Sequence, residues 1–281
     1  MPKPSFRILL TDYLHPDPNA MRLCIDAGLS HFSLALFRKA EKKVVGFEFY
    51  PVNQRSIQTD VLDILNDSPL MSLPFSDVSI TYNTSDSVLI PERFDDKTVS
   101  KDMLNLIHGD LPTGMIMHEQ TGMKGISNHF RVPSWLHTDL VSRFRDVTYS
   151  HVYSAMLRIM VARKEEWSAT CMHVWFYPGH VIVYLQKNGA LQLMQSFVYE
   201  VPEDVSYALL NISEQFGLDC LDLPLVASGF LEKDSILYVE LMKYFLVVES
   251  DNGSGFFSTD AAFSGYPDHF FTPAFSLCIC G

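Results

Sequence analysis

From Phe32 to Phe37 the side chains alternate, with Phe32, Leu34 and Leu36 on one side and Ser33, Ala35 and Phe37 on the other. That is the period of a strand. The apolar run from Met21 to Asp26 predicts a partner strand that ends at Asp26 and turns through Gly28. Before it, residues 1–20 carry Pro2, Pro4, Pro16 and Pro18 and read as an irregular lead-in with at most a short strand or a turn of helix. After it come a charged turn at 39–43, a third strand at 44–52 stopped near Pro51, and an amphipathic helix at 54–65. The helix presents Ile57, Val61, Ile64 and Leu65 on one face. Short strands are expected at 77–82 and 87–90, a helix at 99–107, strands at 113–118 and 125–131, and helices at 133–144 and 150–163.

From Cys171 the pattern begins again. Residues 172–177 predict a strand, Tyr177-Pro178-Gly179-His180 a turn, and 181–185 the return strand. Asn188-Gly189, the favoured pair for a tight hairpin, leads into a third strand at 191–201. A helix at 203–216 follows, with Gly217 placed to end it, then a buried strand at 223–227 closing on Ser228-Gly229 and a helix at 234–245. Hairpin, third strand, helix and strand therefore occur twice, offset by about 150 residues. A right-handed crossover through each helix makes the fourth strand parallel to the first, giving a mixed sheet covered by helices. Two such halves, 1–145 and 146–281, are expected to enclose a cleft.

Charge narrows the function. A net charge of −12 argues against nucleic-acid binding, which needs a surplus of Lys and Arg. No window approaches about 18 uninterrupted apolar residues, so no membrane span is expected. The start shows no apolar segment of signal-peptide length, because Ile8-Leu9-Leu10 is cut off by Asp12. Five cysteines, odd in number and widely spread, suit reduced thiols in a cytoplasmic protein.

The duplicated order resembles the ribonuclease H-like fold as it is doubled in the actin, Hsp70 and sugar-kinase superfamily, and within it the degenerate, PilM-type members. The opening hairpin, Val88-Leu89-Ile90-Pro91 and the ending Tyr266-Pro267-Asp268-His269-Phe270-Phe271-Thr272-Pro273-Ala274-Phe275 also resemble a bacterial family of unknown function, DUF3822. This resemblance implies an actin-like ATPase fold over most of the chain and three nucleotide-contacting segments. Asp26-Ala27-Gly28 matches the minimal form of the first phosphate loop. The second corresponds to Phe176-Tyr177-Pro178-Gly179-His180, where Tyr177 replaces a carboxylate and Pro178 removes a backbone donor. The adenosine loop corresponds to Ser228-Gly229. Asp26, Gly28, Gly179, Ser228 and Gly229 are thus the residues of a vestigial nucleotide site, and Asp26 alone would give a hydrated magnesium ion few protein partners.

Other chemistry has simpler explanations. A nuclease needs several carboxylates at a metal pair, and Asp26 has no acidic companions at strand ends of its half. Cys278-x-Cys280 lacks a second ligand pair at zinc spacing and reads as two buried strand thiols. His118-Glu119 lacks the second histidine of a zincin, and His108, His129, His137 and His151 show no ligand spacing. Gly253-Ser254-Gly255 is a loop, and Ser228-Gly229 also serves as an ordinary tight turn. Phe256-Phe257 and Phe270-Phe271 lie in a segment without period, where packing against the chain itself is favoured over a partner surface. The expectation is a non-catalytic, cytoplasmic interaction or scaffold protein that needs no cofactor and meets an unidentified protein partner. The alternative is an ATP-dependent hydrolase or small-molecule kinase, with ATP and magnesium in the cleft.

Overall fold

Eight residues of alternating or continuous apolar character are enough to cross a sheet, and the segment around Leu34 does so at the centre of one. The computed structural model describes residues 2–9, 17, 19–73, 75, 77–94 and 97–280. In the first part of the chain the strands are β1 (Phe6–Leu9), β2 (Met21–Gly28), β3 (His31–Arg38) and β4 (Lys43–Pro51). They are followed by α1 (Ile57–Asp67), β5 (Val78–Asn83), β6 (Ser87–Pro91), α2 (Lys97–His108), β7 (Gly114–Gln120), β8 (Ile126–Pro133), α3 (Ser134–Val141), β9 (Val147–His151) and α4 (Val152–Ala162). The remainder holds β10 (Cys171–Tyr177), β11 (His180–Lys187), β12 (Ala190–Val198), α5 (Pro202–Gln215), β13 (Leu225–Gly229), α6 (Ile236–Leu241), β14 (Val248–Ser250), β15 (Ser258–Thr259) and α7 (Thr272–Cys280).

The first sheet runs β1-β4-β3-β2-β5-β9, with β15 beside β4, and the second runs β12-β11-β10-β13-β14. In both, the hairpin and third strand are antiparallel, while the fourth and fifth strands run parallel to the first. The five-strand order β4-β3-β2-β5-β9 is therefore repeated as β12-β11-β10-β13-β14. This is the ribonuclease H-like arrangement, twice. A separate three-stranded sheet, β6-β8-β7, is inserted between the fourth and fifth strands of the first copy.

Each of the two large sheets buries a largely apolar face against helices. Leu23, Ile25, Leu34, Leu36, Val78 and Ile80 pack with Val61, Ile64 and Leu65 of α1 and with Leu136 and Leu140 of α3. In the second copy Met172, Val174, Phe176, Val181 and Val183 pack with Val205, Leu209 and Ile212 of α5. Each such side chain, fully buried, contributes about 1.5–3 kcal/mol, and these two faces anchor the fold. The opposite side of β2 carries Arg22, Cys24 and Asp26, and α7 lies along that side of the sheet. There Arg22 Nη1 donates to the Cys278 carbonyl at 3.3 Å, and Phe275 meets Phe47 edge-on at 5.1 Å.

Several elements differ from the expectation. Residues 147–151 form β9 before the helix, where a single helix was expected over 150–163, because β9 is a short edge strand leading straight into α4. The strand β2 continues through Gly28, so the hairpin turn is Leu29-Ser30. Cys278 lies in a helix, α7, rather than a strand; the side chain of Cys280 lies outside the described residues.

The chain divides into two compact units. One comprises Met1–Ala162, Phe256–Phe263 and Ala274–Gly281; the other comprises Arg163–Gly255 and Ser264–Pro273. Where halves at 1–145 and 146–281 were expected, β9 and α4 belong to the first unit, since β9 pairs with β5. The C-terminal stretch contributes to both units in turn. Among the described residues no helix is long and apolar enough to cross a membrane.

Candidate functional site

Asp26, the residue on which a phosphate-bound metal would depend, is 3% exposed on β2. Its Oδ2 lies 3.0 Å from His31 Nε2, and its Oδ1 has no hydrogen-bond partner among the described residues. His31 opens β3, directly across the two-residue turn from Gly28, and is fully buried. Its ring stacks on Phe49 with centroids 5.5 Å apart, and Asn83 Nδ2 approaches Nε2 at 3.5 Å. A Cβ placed on Gly28 would lie 2.5 Å from the imidazole. The space that a side chain at Gly28 would need is therefore filled by the histidine ring of the same hairpin. As arranged, this half does not fit a nucleotide phosphate with its magnesium ion. Among the described residues no group of three His, Cys, Asp or Glu side chains could hold a metal.

The matching hairpin of the second unit is closed in a different way. Tyr177 pairs with His180 across Pro178-Gly179, and Gly179 takes φ = 78°, as the third position of a type II turn requires. The Tyr177 and His180 rings stack at 4.7 Å. Tyr199 fastens the turn from outside: its backbone N–H donates to the Gly179 carbonyl at 3.0 Å and its hydroxyl to the Tyr177 carbonyl at 2.9 Å. A phosphate cradle needs converging free N–H groups. This turn presents a proline, two occupied carbonyls and a stacked ring pair.

At the end of β13, the backbone donors of Gly229 and Phe230 are engaged as well. The N–H of Gly229 donates to the His269 carbonyl at 2.8 Å and that of Phe230 to the Phe176 carbonyl at 2.9 Å. The His269 ring answers with a 2.7 Å hydrogen bond from Nε2 to the Leu231 carbonyl. Phe230 packs edge-on against Phe270 and Phe271, both buried. The aromatics of the terminal segment thus pack on their own chain. Gly229 and Gly179 belong to one unit with Ser228, while Asp26 and Gly28 belong to the other.

Two residues that matter here, His31 and His269, were absent from the expected set. The signal for His31 was present in the strand register: a two-residue turn places it opposite Gly28, so a large ring there meets a residue with no side chain. His269 stands inside a segment whose lack of period hides its docking.

Three other histidines, His129, His151 and His173, are buried. His173 Nε2 lies 3.4 Å from Cys171 Sγ, beside Trp167 and Tyr184. Burial pushes the His173 ring down to about 4 and the Cys171 thiol up to about 11. The two therefore stay neutral together and do not form the thiolate–imidazolium pair of a cysteine nucleophile. His151 is pushed down to about 3, again by burial. It donates from Nε2 to the Thr84 carbonyl at 2.9 Å and accepts the Tyr153 N–H at Nδ1.

Because the unfolded chain protonates histidine near pH 6.5 and folded His173 does not until about pH 4, the unfolded state binds more protons between these values. Stability from this group is complete above pH 6.5 and falls as the pH drops toward 4. The expected loss at pH 4 is about 3 kcal/mol. Urea denaturation of the wild type and His173→Gln at pH 7 and pH 4 measures it, with a smaller pH dependence expected for the variant.

The comparisons with known proteins agree with this topology. The family described as Protein of unknown function (DUF3822) matches residues 16–248. The chain belongs to that family. A Bacteroides thetaiotaomicron protein described as having an actin-like ATPase fold and unknown function is similar to the DUF3822 chain. Its TM-score is 0.73 at 16% identity, over 88% of this chain and 95% of its own. The PilM–PilN type IV pilus biogenesis complex gives a TM-score of 0.56 at 9% identity, over 92% and 96%. The ethanolamine utilization protein EutJ from Carboxydothermus hydrogenoformans gives 0.50 at 9%, over 97% and 94%. At such identities the likeness shows the fold, which is the actin-like ATPase fold. No curated protein matches the sequence.

Proposed function

We propose that this DUF3822 protein is a non-catalytic, cytoplasmic relative of the actin-like ATPases that works by binding another protein. The observation that carries the reading is the imidazole of His31 lodged against Gly28, with Asp26 held by the same ring. In a working phosphate loop that space and that carboxylate serve the ligand. The engaged donors at Gly229 and Phe230 and the fastened Pro178-Gly179 turn support the same reading. So does the likeness to PilM, whose structure is that of a complex with PilN. The cysteines Cys24, Cys171, Cys220 and Cys278 are free, which suits a reducing compartment.

One observation favours a second reading. Asp26 Oδ1 is buried without a partner among the described residues, and an acceptor in that state invites a ligand. An ATP-dependent enzyme would use it once the His31 ring had turned away from Gly28. Assay of magnesium-dependent ATP hydrolysis by the wild type and by Asp26→Ala separates the two. The expected result is the same background rate for both proteins. A wild-type rate that disappears in Asp26→Ala overturns the proposal.

A further inference from the structure

The second unit carries an apolar surface that its own fold leaves uncovered. Helix α6 buries Leu237, Glu240 and Leu241, while Ile236 and Val239 on its other side are 78% and 55% exposed. The chain beyond the helix adds Met242 and Leu246, the latter 65% exposed. Contacts with α5 show how the surface extends. Ser206 Oγ donates to Glu240 Oε1 at 3.3 Å, and Lys243, which is bonded to Glu240, lies within electrostatic reach of Glu203. Rising numbers through α6 and the turn after it meet falling numbers on α5, so the helices run antiparallel. Tyr207, 74% exposed, stands on α5 next to Ser206, which bonds α6. Several exposed apolar side chains gathered on two packed helices mark an interaction site more often than a bare surface.

Charge selects the occupant. Glu203 and Asp204 stand at the start of α5, and Glu232 and Asp234 lead into α6, all exposed. Against these four carboxylates stands Lys233, because Lys243 is committed to Glu240. A second copy meeting this face across a two-fold axis would oppose acidic margin to acidic margin, in a chain of net charge −12. An anionic membrane surface is repelled for the same reason.

We infer that the α5–α6 face docks an amphipathic helical segment of a partner protein, apolar on one side and bearing lysine or arginine at its borders. This rests on the reading of the protein as an interaction protein and names the surface and the partner chemistry. The test uses the full chain and a fluorescent synthetic peptide with leucines at i, i+3, i+4 and i+7 and lysines between them. A counterpart carries glutamates in place of the lysines.

The leucine–lysine peptide is expected to bind saturably and the glutamate counterpart not to bind. In Ile236→Ser/Val239→Ser the affinity should fall by about tenfold or more. Circular dichroism should show the variant folded, since both side chains face solvent. Equal binding to the variant, or equal binding of the two peptides, overturns the inference. Wild-type self-association abolished by the double substitution would assign the face to a second copy. Adsorption to phosphatidylserine vesicles lost in the variant would assign it to a membrane. Either result also overturns the inference. No nucleotide enters the assay, so its failure leaves the hydrolysis test untouched.

Discussion

Gly229→Ala is expected to cost about 4 kcal/mol or more of the second unit's stability, or to leave it unfolded. A Cβ there would lie 2.2 Å from the Phe176 carbonyl oxygen and 2.9 Å from its nitrogen. Both are backbone atoms of a central strand, so no side chain can rotate aside to relieve the clash. The residue also has φ = 96°, a conformation that L side chains rarely adopt. Its neighbour supplies the control. Ser228 is buried but in ordinary strand geometry, so Ser228→Ala should cost less than about 1 kcal/mol. Urea denaturation of the two variants measures the contrast. In an active relative, a glycine here would be credited to a nucleotide; in this chain the approach of strand β10 is sufficient reason for it.

The second large effect is expected at Arg163 and Asp251. Two guanidinium nitrogens of Arg163 meet the two carboxylate oxygens of Asp251 at 2.9 Å, and both side chains are 5% exposed. Glu166 takes the remaining side of the guanidinium, and the Trp167 ring lies 4.7 Å beneath it. Removing Arg163 leaves the Asp251 carboxylate buried without its cation, so Arg163→Met should destabilise by about 3–5 kcal/mol, and Asp251→Leu by less, because Glu166 still meets the guanidinium. Replacing both, as Arg163→Met with Asp251→Leu, removes both charges from the interior and should cost clearly less than the sum of the single changes. Thermal unfolding of the two single variants and the double variant closes the cycle.

The doubled architecture was legible because its central strands carry plain physical signals. Alternation from Phe32 to Phe37, the Asn188-Gly189 turn and the face of α5 each require only local rules. The fifth strands were not legible. Strand β14 has three residues and β9 has five, of which Tyr149 is 48% exposed, so neither shows a buried period. Helix α7 hid for the opposite reason: Ala274, Phe275, Leu277, Cys278 and Ile279 crowd its surface, and a helix apolar nearly all round shows no stripe. At the candidate site the single residues Asp26, Gly28, Gly179, Ser228 and Gly229 could be located from motif and turn chemistry. What surrounds them could not, because His31 acts through a cross-strand pair and His269 through a contact forty residues from Gly229 along the chain.

The account turns on whether the phosphate turn of the first unit, with His31 against Gly28, admits a nucleotide. Titration calorimetry of the full chain with magnesium and ATP, ADP or a non-hydrolysable analogue at millimolar concentration measures this directly. No heat above dilution is expected for any of the three. A saturable one-to-one heat that disappears in Asp26→Ala would contradict it.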